Sequence, residues 1–310
     1  MQRLLAVQAQ DLRGARLALR VRSTGLSASD VDAALADGRL VVDWLCRGTL
    51  HLVRREDHAE LHALTTPQLA RTSERRLLQE GVNPAQAARG VGVVRDAVAQ
   101  GTATREDLRA RLVDAGVPVA RQALVHVLMA ASLQGVCVRG PVVDGAQAFV
   151  DRKGWLGPTP PLDREAALAR LAVRYLTGHG PATAADLSRW AGITLGDARL
   201  GLQLAGEQVV AVEDGLVGLA RRQPTRPLPP PLLLGPFDPL LLGWTSRADV
   251  VGQHVRLVTD NGLFRPFVLV DGRAVATWSV ARDRVTVTPL EPLDMDLLAE
   301  VSDVERFLRD

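Results

Sequence analysis

An octapeptide pattern that occurs twice constrains this chain more than any other feature. Gly101-Thr102-Ala103-Thr104-Arg105-Glu106-Asp107-Leu108 and Gly180-Pro181-Ala182-Thr183-Ala184-Ala185-Asp186-Leu187 both read G-x-A-T-x-x-D-L. In each, the threonine can cap a helix, and the aspartate three residues later can reach back to the cap's own N–H. A looser copy begins at Gly25, with Ser27 and Asp30 in the equivalent places. The same elements follow both close copies. After the first come a short helix to about Gly116, a helix over Val119–Leu133, a strand at Val136–Val138, a turn at Asp144-Gly145 and a strand at Ala146–Val150. After the second come helices Ala184–Ala191 and Leu195–Ala205, strand Gln208–Val212, turn Asp214-Gly215 and strand Leu216–Ala220. A further helix precedes each, at Arg89–Gln100 and Arg164–Thr177. Three helices and a hairpin make a winged helix. The first copy is read as helices Asp30–Ala36 and Leu40–Leu45 with a strand at Thr49–Val53.

Beyond residue 220 the pattern changes. Arg221–Pro236 holds six prolines and reads as a linker. The hairpin dipeptides Asn261-Gly262 and Asp271-Gly272 then separate Val255–Thr259, Phe264–Val270, Arg273–Val280 and Arg284–Thr288, a β-meander or small barrel. An amphipathic helix, Asp294–Arg309, closes the chain. The expected fold is therefore α+β, in four parts: winged-helix units at 1–86, 87–160 and 161–222, and a linker with a β-domain at 223–310.

Composition narrows the function classes. No apolar run approaches the roughly 20 residues of a membrane span, and MQRLLAVQAQDLR lacks the apolar core of a secretory signal. Two distant cysteines, Cys46 and Cys137, support neither a disulfide framework nor a four-cysteine zinc site. The expected compartment is the reducing cytoplasm. The net charge is +2, yet residues 1–160 hold 21 basic and 16 acidic side chains and residues 161–310 hold 16 and 19. The N-terminal half is the better surface for a polyanion. Its basic residues are arginines except for Lys153, the chain's only lysine. Arg47, Arg54 and Arg55 flank His51, and all four are candidate DNA contacts. So is Arg265, which would sit beside Leu263 and Phe264 at a hairpin tip able to probe a minor groove; the alternative is that Phe264 packs the core of the β-domain and Arg265 pairs with Asp260 or Asp271.

The usual catalytic patterns are missing. His58-Ala59-Glu60-Leu61-His62 has its glutamate one place too late for a zincin, so a solvated helix face is the better reading and no metal is expected. Gly90-Val91-Gly92 lacks the third glycine of a dinucleotide fingerprint. One small feature remains. Gln8 and Gln10 point the same way if the segment is extended, as a polar pair at the edge of a cleft.

Gln8-Ala9-Gln10-Asp11, Thr24-Gly25-Leu26, Arg47-Gly48-Thr49-Leu50-His51-Leu52, Phe237–Trp244 and Asn261–Arg273 together resemble, in order along nearly the whole chain, the AlkZ/YcaQ superfamily of bacterial DNA glycosylases. The resemblance implies three tandem winged helices and a C-terminal β-domain, arranged as a C around DNA. It implies a glutamine–apolar–glutamine motif, here Gln8 and Gln10, as the catalytic pair. The AlkZ-type branch acts on bulky N7-alkylguanine adducts or interstrand crosslinks, often as self-resistance in antibiotic-producing actinobacteria. A monofunctional, cofactor-free monomer acting on double-stranded DNA that carries alkyl-purine adducts follows from the same resemblance. Two departures accompany it. Seven residues precede Gln8 where family members usually carry a further helical segment, and Pro239-Leu240 replaces a usual acidic–aromatic pair. The competing reading is a non-catalytic winged-helix regulator.

Overall fold

The computed structural model describes residues 1–221, 227–254, 257–259, 262–282 and 284–309. Its centre is a five-stranded antiparallel sheet in the order β1-β3-β2-β4-β5. The strands are β1 (Ala6–Gln8), β2 (Leu40–Leu45), β3 (Thr49–Arg54), β4 (Cys137–Val143) and β5 (Ala146–Asp151). The N-terminal strands and the hairpin of the second repeat thus share one sheet, joined at Val42 opposite Arg139. Leu40–Leu45 is a strand and not the expected helix. All six residues are buried, and Val41, Val42 and Trp44 favour a pleated surface covered on both faces. A short run that is apolar except for Asp43 carries no period to separate strand from helix.

Helices cover both faces. One face holds α1 (Leu12–Arg20), α2 (Ala28–Ala36), α4 (Pro84–Ala99), α5 (Arg105–Asp114) and α6 (Ala123–Leu133), around Val7, Val42, Leu52, Leu108 and Leu128. The other holds α8 (Arg164–His179), α9 (Ala184–Ala191) and α10 (Leu195–Leu204), around Val41, Val53, Leu171 and Trp190. The 25-residue helix α3 (Arg55–Gln79) contributes to both. All three repeat copies carry the expected reciprocal cap: Ser27 with Asp30, Thr104 with Asp107, Thr183 with Asp186. The short helix α7 (Arg152–Leu156) follows β5, and the third repeat ends in its own hairpin of β6 (Val209–Ala211) and β7 (Val217–Leu219).

The C-terminal part is an open four-stranded antiparallel sheet, not a barrel, in the order β11-β10-β9-β8. Its strands are β8 (Leu232–Leu234), β9 (Phe267–Val270), β10 (Arg273–Ala281) and β11 (Arg284–Pro289). Strand β8 comes out of the stretch expected to be linker. Leu232-Leu233-Leu234 follows the prolines and pairs with β9 on one side only, so no ladder bond is lost to proline. The expected strand over Val255–Thr259 does not form among its described residues; Val258 makes one bridge, to Phe264. Asp271-Gly272 has positive φ at both positions, the geometry of a tight hairpin, as do Asp144-Gly145 and Asp214-Gly215. Asn261 lies outside the described residues. Helix α12 (Leu298–Arg309) packs Val304 and Phe307 under this sheet with Trp278 and Leu233.

Arg20 of α1 ties the C-terminal sheet to the rest. Its side chain is 3% exposed; it donates to Asp303 at 2.6 Å, to Glu300, and to the Leu233 carbonyl at 3.3 Å. Asp238, wholly buried, takes both arms of Arg22 at 2.7 and 2.9 Å and caps Leu240. Trp244 and Thr245 then bond His179 and Asp186 of the third repeat. The Phe237–Trp244 motif is therefore the joint between regions of the chain. No helix among the described residues is long and apolar enough to cross a membrane.

Candidate active site

Strand β1 is an edge strand that places the glutamines. Leu5, just before it, has φ +62°, an unfavourable conformation for leucine that turns the chain onto β3. Gln8 then lies opposite His51, and the Ala9 N–H continues the ladder to the Leu50 carbonyl at 2.7 Å. Ala9 is buried between the two glutamines, Gln8 is buried and Gln10 is exposed. Asp11 caps α1 through the Arg13 N–H, so the chain turns into a helix directly after the motif.

The two carboxamides meet. Gln8 Nε2 donates to Gln10 Oε1 at 2.6 Å, and Arg47 Nη2 donates to Gln8 Oε1 at 3.2 Å. Arg47 sits in a 3-10 turn, Cys46–Gly48, with φ +59°. Its Nη1 donates to the Trp190 carbonyl at 2.6 Å, near the end of α9. Gly192 ends α9 at φ +70°, and a Cβ there would lie 2.5 Å from the Arg47 nitrogen. Glycine alone permits this approach, which clamps the arginine between the first sheet and the third repeat.

His51 is 3% exposed and faces the same side of the sheet as Gln8. Burial and the charge of Arg47 push its ring down to about 3, so it is neutral at physiological pH. Its Nδ1 then donates to the Thr49 carbonyl at 2.9 Å. It lies beside Gln8 as its cross-strand neighbour; a buried neutral ring is not the DNA contact expected of it.

The other expected contacts separate. Arg54 is bound to Asp57 at 2.7 Å and to Glu56 at 2.7 Å, so its charge is already compensated. It lies at the far end of β3 from Arg47, roughly 20 Å along a six-residue strand. Arg55 starts α3, exposed, at that same far end. Arg265 is exposed and has no ion-pair partner among the described residues, but Phe264 is not a wedge. It is buried against Phe237, with the Arg247 guanidinium 5.0 Å above its ring. Leu263 alone of that apolar pair is exposed.

The histidine pair on α3 is not a solvated face. His58 is wholly buried, with Nε2 2.6 Å from Asp43, and stacks on His62, which meets the Ser132 carbonyl at 3.1 Å. Helix α6 covers this face, which the spacing along α3 could not reveal. No cluster able to hold a metal occurs among the described residues. Arg189, Trp190, Gly192 and Arg247 were not singled out from the sequence; no local pattern marks them, because the fold alone brings them to Arg47.

A family model of AlkZ-like DNA glycosylases matches residues 1–308. The chain belongs to the AlkZ-like DNA glycosylase family. It is thus a DNA glycosylase, a hydrolase of N-glycosidic bonds in DNA, and the regulator reading is not favoured. An interstrand DNA cross-link repair glycosylase of Streptomyces sahachiroi is 28% identical over 319 residues, covering 93% of this chain and 83% of that protein. The solved structure of the DNA glycosylase AlkZ from the same organism matches with a TM-score of 0.80 at 26% identity, covering 99% of this chain and 89% of that one.

Proposed function

We propose that this AlkZ-like glycosylase excises bulky N7-alkylguanine adducts, and that Gln8 and Gln10 hold the attacking water. The observation that carries the reading is the carboxamide pair, fixed by Arg47 at the edge of the sheet. An N7-alkylated guanine is cationic and leaves readily, so a strong general acid is not required. What the reaction requires is a water placed at C1′ and a surrounding that tolerates an oxocarbenium-like sugar. Gln10, exposed, keeps its NH₂ and a second carbonyl lone pair for water and sugar oxygens.

Hydrolysis without strand cleavage fits the lysine distribution. A lyase forms a Schiff base through an amine. Lys153 lies on α7 after β5, the sheet edge opposite β1, roughly 19 Å away across four strand spacings. The three repeats are read as tandem winged-helix units, divided near residues 86, 160 and 222, curving as a monomer around double-stranded DNA in the cytoplasm. Unhooking of interstrand crosslinks, the activity named for the Streptomyces relative, extends to this chain on the same reading. So does self-resistance to an alkylating natural product.

The test is release of modified base from duplexes carrying N7-alkylguanine, scored as abasic sites. Gln8→Ala combined with Gln10→Ala is expected to lower excision by about 100-fold or more. Gln10→Ala alone, at an exposed position, separates loss of chemistry from loss of fold. Wild-type excision by the double variant refutes the assignment.

A further inference from the structure

Arg47, which holds Gln8, has two further arginines near it, and among the described residues no acid balances any of the three. Arg47 comes from the turn before β3, Arg189 from α9, and Arg247 from the segment before α11 (Ala248–Val251). Arg47 Nη1 lies 2.6 Å from the Trp190 carbonyl and 3.4 Å from that of Arg189. Arg247 is two residues beyond Thr245, whose N–H and hydroxyl bond Asp186 of α9 at 2.8 and 2.7 Å; its Nε donates to the Leu241 carbonyl at 2.7 Å and its guanidinium lies over Phe264, contacts that leave its charge without an acid. Among the described residues none of the three forms an ion pair, although Arg16, Arg20, Arg22, Arg54, Arg164 and Arg174 all do. The nearby acid, Asp186, is taken up by Thr183 and Thr245. Burial and then the repulsion of Arg189 and Arg247 disfavour the charge of Arg47; burial and Arg189 do the same to Arg247.

Such a cluster is unfavourable next to this chemistry unless something negative joins it. Glycosidic cleavage builds positive charge at C1′, and uncompensated guanidinium groups nearby oppose that charge. DNA supplies one anion within reach of every C1′, its own flanking phosphodiester. We propose that Arg47, Arg189 and Arg247 clamp the phosphodiester adjacent to the damaged nucleotide. This rests on the glycosylase site described above. Clamping has two effects. It neutralises the trio, and it fixes the sugar against the Gln8–Gln10 pair. Arg47 links the two, because one arm holds Gln8 and the other is anchored on the α9 backbone while Nη2 keeps a second N–H for the phosphate.

The experiment is binding of a duplex bearing a single tetrahydrofuran abasic-site analogue, read by fluorescence anisotropy over a salt series. The wild type is compared with the double variant Arg189→Gln and Arg247→Gln. Loss of the clamp is expected to weaken binding by roughly tenfold and to lower the slope of log affinity on log salt by about one. Arg189→Lys with Arg247→Lys is expected to restore the slope. A neutral methylphosphonate at the phosphate flanking the analogue is expected to weaken the wild type by the same factor, and to remove the difference between wild type and variant. That last result separates a backbone phosphate from a free anion. An unchanged slope and affinity in the double variant overturns the proposal, as does a variant effect that persists undiminished with methylphosphonate on either flank. Excision by the wild type is scored separately. A protein that shows the clamp signature yet releases no alkylated base overturns the substrate reading and leaves the clamp standing.

Discussion

Acidification from pH 7 to pH 5 is expected to remove about 4 kcal/mol of folding stability, most of it through His51 and His179. Both rings are 3% exposed. Burial and Arg47 push His51 down to about 3; burial pushes His179, stacked on Tyr175 at 4.9 Å, down to about 4. In the unfolded chain each titrates near 6.5. Between the two values the unfolded state binds a proton that the folded state refuses, so stability falls as pH falls. The contribution is complete above about pH 6.5 and is lost progressively toward pH 3 for His51 and pH 4 for His179. At pH 5 the unfolded histidine is almost fully protonated while the folded one is not, which costs about 2 kcal/mol for each residue. His62 and His126, also pushed down by burial, add with the same sign. The capping carboxylates Asp30 and Asp107, lowered by their hydrogen bonds to Ser27 and Thr104, matter only below about pH 4. The assay is urea unfolding followed by tryptophan fluorescence at pH 7, 6 and 5, on the wild type and on His51→Gln. The variant is less stable at every pH, but its loss between pH 7 and pH 5 is expected to be smaller by about 2 kcal/mol. Equal losses in the two proteins would refute the burial of a neutral His51 beside Gln8.

Three further outcomes follow from the same structure. Arg20→Ala leaves Glu300 and Asp303 without their shared partner and is expected to cost about 3 kcal/mol by chemical denaturation; a loss below about 1 kcal/mol would show that the C-terminal sheet is held otherwise. Gly192→Ala is expected to destabilise by about 1–3 kcal/mol and to depress excision beyond Gly215→Ala, because a Cβ at 192 meets the Arg47 backbone whereas one at 215, also at positive φ, meets nothing within 4 Å. Equal excision by the two variants would show that Arg47 does not depend on α9. Arg265→Ala is expected to change stability by less than about 0.5 kcal/mol while weakening DNA binding and lowering the salt slope by about one. A drop in melting temperature with affinity intact would move the contact surface away from that position.

What the sequence determined by itself is local. The caps at Ser27, Thr104 and Thr183 and the turns at Asp144, Asp214 and Asp271 depend on side chains within three residues of the backbone they serve. Hydrogen bonds and φ preferences act at that range, so the octapeptide repeat and the Asp-Gly pairs could be read directly. The glutamine pair was legible for the same reason, since alternate residues of any extended segment share a side. Burial and partnership are decided at longer range. Whether Leu40–Leu45 is a helix or a strand depends on helices packed over both faces of the sheet. Whether His58 meets solvent or Asp43 depends on β2 and α6, distant in sequence from the turn of α3 that carries it. Arg47 reaches Gln8 across 39 positions and Trp190 across 143. A charge acts on whatever the fold brings within a few ångströms. For that reason the arginine that holds Gln8, and the two arginines near it, became identifiable only once the first sheet, α9 and the C-terminal segment were packed together.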